Sequence, residues 1–138
     1  MSDTSTALLS FLKLSNVIDP KITSFRDIDD PSLFHDIFFS FFKVKCPVED
    51  EQFKTRIMLR WLHEHAPKQL SEDILKPVQV EDFDKCDYDA LEQTALLMFA
   101  CKTRDSAEYK SLIEKLDSSD QSVLESFIDL SNQSELKQ

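Results

Sequence analysis

Glycine is absent from all 138 residues, although ordinary usage of about 7% would supply roughly ten. Backbone sites that need positive φ, or that bring main chain against a phosphate, use glycine because a Cβ obstructs them. The P-loop, the dinucleotide fingerprint, the glycine-rich kinase loop and the EF-hand calcium loop therefore cannot be written in this chain. Hairpins built on Asn-Gly or Asp-Gly are missing too, which argues against a hairpin-rich β fold and leaves an all-helical domain. Proline is scarce in a patterned way. Pro20, Pro31, Pro47, Pro67 and Pro77 are the five, and none follows. Helix interiors reject proline, so the first half reads as short segments and the second as long helices.

Cations are in deficit. Sixteen Lys and Arg face 26 Asp and Glu, for a formal net charge of −10. Residues 1–69 hold 9 basic and 10 acidic side chains, residues 70–138 hold 7 and 16, so the acidity belongs to the second half. Such a field repels nucleic acid and anionic membrane, and neither is expected as a partner. Cysteine is limited to Cys46, Cys86 and Cys101, with no C-x-x-C pair, which suits reduced thiols of an intracellular protein. Long apolar runs are lacking. The Phe-rich stretch 33–42 contains His35 and Asp36 and is too short to span a bilayer. The polar start, followed by an apolar stretch that Lys13 interrupts, carries no secretory signal.

What is present is helical periodicity. Ala7, Leu8, Phe11, Leu12 and Leu14 share helical spacing after a Ser/Thr-rich start, and Asn16 follows as a left-handed stop. Asp30-Pro31 has the form of an N-cap with proline at the first helical position, opening a helix with Leu33, Phe34, Ile37, Phe38, Phe41 and Phe42 on one face. A third helix is expected over 49–65, with Phe53, Ile57, Met58, Trp61 and Leu62 apolar and Ala66-Pro67 ending it. Residues 71–80 read as a short helical turn and a link around Pro77. Asp89 with Glu92 has capping-box spacing before the unbroken apolar run 95–101, which predicts a central helix buried on every side. Asp105 with Glu108 repeats that spacing and predicts a kink near Thr103 before Tyr109, Leu112, Ile113 and Leu116. Ser118 with Gln121 opens a last helix bearing Val123, Leu124, Phe127, Ile128 and Leu130, with Asn132 as its stop and a frayed polar tail over 133–138.

Few residues carry chemistry. His63-Glu64-His65 places its histidines two apart, where they diverge on a helix, and reads as a solvated helix end rather than a metal site. His35 is expected at a partly buried or surface position, and Cys101 as an inert core thiol. Cys46 and Cys86 fall in connecting segments without a flanking histidine to activate them. The acidic run Glu81-Asp82-Phe83-Asp84, continuing to Asp87 and Asp89, reads as solvated linker with helix N-terminal charge. With no paired nucleophile and base, no metal set and no phosphate cradle, no enzymatic activity and no cofactor are expected. Most of the eleven phenylalanines must be core. The apolar faces left on the last two helices leave room for a groove that accepts a partner helix.

The order and spacing of these elements resemble a Hook domain. Ala7-Leu8-Leu9-Ser10-Phe11, then Val17, Asp19-Pro20, Asp30 and Ser32-Leu33-Phe34 with Ile37, resemble its start in the nuclear mitotic apparatus protein family, and there most of all the spindle-positioning members. Leu91-Glu92, Ala95-Leu96-Leu97-Met98, Glu108-Tyr109, Ile113, Ser122-Val123 and Phe127-Ile128 resemble the closing helices of Hook domains generally. The resemblance covers residues 5–131, with 1–4 expected as a disordered start and 132–138 as a polar tail leading towards a coiled coil. It implies an all-α, calponin-homology-like bundle with an additional C-terminal helix, heading a coiled-coil dynein adaptor.

By the same resemblance, a hydrophobic cleft of the last helices binds an amphipathic helix of the cytoplasmic dynein light intermediate chain. The matching positions are Met98, Tyr109, Leu112, Ile113, Leu116, Val123, Leu124 and Phe127. The implied setting is the dynein/dynactin complex and, through other regions of the full protein, a cortical spindle-positioning complex. The cytoplasm, the mitotic spindle poles and the cell cortex are the implied locations. The head is expected as a monomer, with dimerisation through the coiled coil. The alternative is homodimerisation or direct microtubule or cytoskeletal binding through the calponin-homology-like fold. The net charge opposes the microtubule version, because tubulin tails are themselves acidic.

Overall fold

The computed structural model of the chain describes residues 4–30, 32–44, 50–66 and 78–136. Among them the protein is all-helical. The helices are α1 (Thr4–Leu14), α2 (Ser32–Phe42), α3 (Glu51–His65), α4 (Val80–Asp84), α5 (Tyr88–Asp105), α6 (Ala107–Ser111) and α7 (Ser118–Leu136), with 3-10 turns at Phe25–Asp27 and Leu112–Lys115. Cys46, the prolines at 31, 47, 67 and 77, and most of the link expected over 71–80 lie outside the described residues.

Side-chain caps start α2, α3, α5 and α6, because the first backbone N–H groups of a helix have no partner of their own. Asp30 Oδ1 accepts from Ser32 N at 2.9 Å and opens α2. Asp50 Oδ1 accepts from Phe53 N at 2.9 Å and opens α3. The central helix is capped by Asp87, whose Oδ2 accepts from Ala90 N at 3.2 Å, and so begins ahead of the expected Asp89. Tyr88 favours the earlier start. Its ring lies 6.3 Å from Phe25 with the Arg26 guanidinium 5.1 Å above it, and its hydroxyl bonds to the Ser5 hydroxyl.

Among the described residues three helices stop in a left-handed residue, and none of the three is glycine. Asn16 has φ 61, with Asn16 N donating to Lys13 O at 3.1 Å and Val17 N to Leu12 O at 3.4 Å. This is a Schellman stop. Cys86, at φ 57, does the same for α4, through Cys86 N to Phe83 O and Asp87 N to Asp82 O. Lys43, at φ 52, ends α2 with a single bond from its N–H to Phe39 O at 3.0 Å. Asn132, by contrast, lies within α7, which continues to Leu136, so residues 133–136 are helix where a frayed tail is expected. Thr4, the last residue of the segment 1–4, belongs to α1.

The core forms around α5. Every residue of the run Ala95–Cys101 is buried, as are Leu91 and Thr94, because α1, α2, α3, α4, α6 and α7 all pack against this helix. Phe11, Phe25, Phe34, Phe38, Phe83 and Phe99 are fully buried, each contributing roughly 1.5–3 kcal/mol by leaving water. Phe11 and Phe99 meet edge to face at 5.0 Å.

Four helices run in the same sense. Ser5 meets Tyr88 at the starts of α1 and α5, and Phe11 meets Phe99 further along both. His35 meets Thr55, and Phe42 meets Trp61, in the same order along α2 and α3. At the far end Lys102 of α5 donates to Phe41 O at 2.6 Å, and Arg104 donates to His65 O. The carbonyl ends of α2 and α3 are thus met by cations of α5, the charge that the helix dipole favours there.

The acidic run supplies the expected helix N-terminal charge, Glu81 and Asp82 at α4 and Asp87 and Asp89 at α5, but its first part is helix and not linker. It forms α4, because Phe83 is fully buried between the rings of Phe34 and His35, each 5.8 Å away. Its carboxylates Glu81 and Asp82 remain exposed in the first turn.

Candidate functional site

The closing elements shape a groove on the surface. Ser106 leaves helical geometry (φ −137, ψ 113), ends α5, and caps α6 by accepting from Tyr109 N at 3.4 Å. The expected break is present, three residues beyond Thr103. Thr103 itself is buried within α5, its hydroxyl donating to Phe99 O at 2.7 Å. None of the five α6 residues is buried. Ile113, 3% exposed, anchors the following 3-10 turn. Gln121 ties α7 back to that turn, its amide donating to Glu114 O at 3.0 Å and Leu116 O at 2.7 Å. Between these elements lies a groove of about 390 Å³. Ile113 and Ile128 supply its apolar lining and Lys110, Glu114 and Glu125 its charges, with Ala107 and Ser111 beside them.

The eight positions expected to form a cleft divide into two sets. Met98, Ile113, Leu116 and Leu124 are buried in the core. Tyr109, Leu112, Val123 and Phe127 are half-buried and pack against it. Of the eight, Ile113 lines the groove. Tyr109 belongs to an aromatic cluster, 5.3 Å from Phe41 and 6.4 Å from Phe11, with Lys102 Nζ 4.7 Å from its ring. Ile128 shares the helical spacing of Val123, Leu124 and Phe127 and was legible as apolar. Lys110, Ser111, Glu114 and Glu125 carry no sequence signal that would place them at a groove.

The remaining chemistry-bearing groups are held structurally. His35 is buried at 1% exposure, not partly exposed as expected. Its Nε2 lies 2.7 Å from Thr55 Oγ1, and the Thr55 hydroxyl donates to Asp84 Oδ1 at 3.0 Å. With that proton committed to the carboxylate, the Thr55 oxygen accepts from the ring N–H, a chain that satisfies three polar groups across α2, α3 and α4. His63 and His65 diverge as expected. His63 is half-buried, and burial holds its imidazole below the usual range. His65 is exposed and stacks on Trp61 at 4.0 Å. Cys101 is buried, while Cys86 is half-buried, with burial and then Asp29, Asp30 and Asp84 pushing its thiol up, away from a reactive thiolate.

Among the described residues no group of three or more His, Cys, Asp or Glu could hold a metal ion, and no helix is long and apolar enough to cross a membrane. Compared with protein-family models, with curated proteins and with solved structures, the chain finds no match.

Proposed function

We propose that the chain is a non-enzymatic, Hook-like interaction head that takes an amphipathic helix of the dynein light intermediate chain along the groove between α6, its following 3-10 turn and α7. The observation that supports this reading is the groove itself. Two isoleucines are flanked by Lys110, Glu114 and Glu125 beside a helix with no buried residue. An apolar stripe with charged margins is what a helix with anchors at i, i+3, i+4 and i+7 requires. Resemblance names the partner, and the acidity of the second half matches a peptide with basic flanks. On this reading the protein works within a dynein/dynactin assembly at spindle poles and the cell cortex.

The test is a titration of the light-intermediate-chain helix into isotope-labelled protein. Shift changes should concentrate on residues 107–128. Ile128→Asp, at a half-buried position, should abolish them while leaving the circular dichroism spectrum unchanged. No change at several hundred micromolar peptide, or changes centred on α3 and α4, would sink the proposal.

A further inference from the structure

Ser111 stands apart from the other serines of the chain. Four serines have a carboxylate three residues on: Ser24, Ser111, Ser122 and Ser126. Spacing of this kind suits a kinase whose basic substrate cleft reads an acidic side chain after the acceptor, by the same charge complementarity that sets other recognition interfaces. Ser24 is occupied as a cap, its oxygen accepting from Arg26 N at 3.1 Å. Ser122 and Ser126 lie inside α7, a helix of 19 residues that would have to unwind to enter an extended substrate cleft. Ser111 is the exposed last residue of a five-residue helix in which Tyr109 is half-buried and no residue is fully buried. To present Ser111 as an extended strand, the chain opens one short helical stretch held inward by Tyr109 and Ile113, a smaller unit than the 19 residues of α7 that hold Ser122 and Ser126. Ser111 and its +3 residue Glu114 both line the groove, as does Glu125 across from them.

We propose that Ser111 is the phosphoacceptor for an acidophilic serine kinase, and that the phosphate closes the groove to its helix. In the transfer, Ser111 Oγ attacks the γ-phosphorus of a nucleoside triphosphate held by the kinase. The Pγ–O bond to the β-phosphate breaks, the nucleoside diphosphate leaves, and the hydroxyl proton passes to the kinase's base. The existing bond from Ser111 Oγ to Glu108 O, 2.7 Å long, is given up. The product carries about −1.5 to −2 charge at a helix C-terminus, beside Glu114 and facing Glu125, where repulsion and the cost of desolvation both oppose an incoming apolar face. Lys110, in the same lining, gives the phosphate a cation that keeps it over the groove.

The second half of this inference rests on the docking reading above, and the first half does not. The experiment incubates the full chain and its Ser111→Ala variant with an acidophilic kinase and ATP, maps the phosphate by mass spectrometry, and titrates both products with the light-intermediate-chain helix. Phosphate on Ser111, absent from S111A, with peptide affinity lowered roughly tenfold or more, is the expected result. Phosphate found only on Ser24, Ser122 or Ser126, or none on the folded chain while a peptide spanning 107–116 is modified, overturns the assignment of Ser111. Phosphate on Ser111 with peptide affinity unchanged overturns the closure. Unmodified protein that never binds the peptide defeats the docking reading and the closure together, while the mapped phosphate still decides the acceptor.

Discussion

Replacing Lys102 with methionine keeps most of the length of the side chain and removes its charge. The ammonium donates to Phe41 O at 2.6 Å, at the carbonyl end of α2. It also lies 4.7 Å from the Tyr109 ring centre, 5.5 Å from Phe41 and 5.8 Å from Phe42. A hydrogen bond from a charged donor contributes about 1.5–3 kcal/mol, a cation at a helix C-terminus about 0.3–1, and a half-buried cation over aromatic rings about 0.5–2. These terms describe one ammonium and overlap, so the expected loss for Lys102→Met is about 2–3 kcal/mol. For a chain of this size that lowers Tm by roughly 8–12 °C. Urea unfolding followed by circular dichroism should show a lower midpoint at an unchanged slope. A double-mutant cycle with Tyr109→Leu isolates the ring contribution, expected at about 0.5–1 kcal/mol. A loss below about 0.5 kcal/mol for Lys102→Met would refute the claim that this ammonium fastens α2 to α5 and α6.

Lys43→Gly should stabilise the protein by about 0.5–1 kcal/mol in urea unfolding. It relieves a left-handed penalty of about 1–2 kcal/mol, offset by glycine's larger unfolded-state entropy of about 0.5–1, whereas Asn16→Gly should gain less because asparagine already tolerates that geometry. Phe83→Ala should cost about 3–5 kcal/mol, and amide exchange in α4 should rise before that in α5. Burial holds the folded His63 below its ordinary value of 6.5, so the folded state resists its protonation and stability should fall as pH drops below about 6.5. His63→Gln should flatten that part of a pH-stability curve. Asp27 and Asp30 are held below their ordinary 3.8, Asp27 chiefly by the Thr23 N–H and Asp30 chiefly by the Ser32 N–H, so their contribution is present above that pH and is lost as the solution is acidified through the lowered values.

What was legible in the residues is what local rules decide. Asp30 opens a helix because an aspartate before a helical run caps it wherever the run packs, and the run 95–101 is central because only burial on all sides suits it. Lys43 and Cys86 gave no warning of their left-handed φ, since neither residue type favours that region. His35 sits beside Asp36 and looked half-exposed. Its burial depends on Thr55 and Asp84, distant residues that no helical period connects to it. The candidate groove was half legible for a similar reason. Spacing identifies an apolar face on α7 but cannot divide it into the part that meets α1 and the part that meets solvent.

The shared sense of α1, α2, α3 and α5 bears on how the chain is made. Helices that run the same way cannot be joined by tight turns, and their contacts bind segments far apart in sequence. Ser5 finds Tyr88 83 residues away, and Lys102 finds Phe41 61 residues away. On the ribosome α1 emerges well before the helices it packs against, α5 and α7. Its buried face, with Leu8, Phe11 and Leu12, therefore waits uncovered through most of synthesis. Folding of this domain begins in earnest only when its C-terminal third has left the exit tunnel.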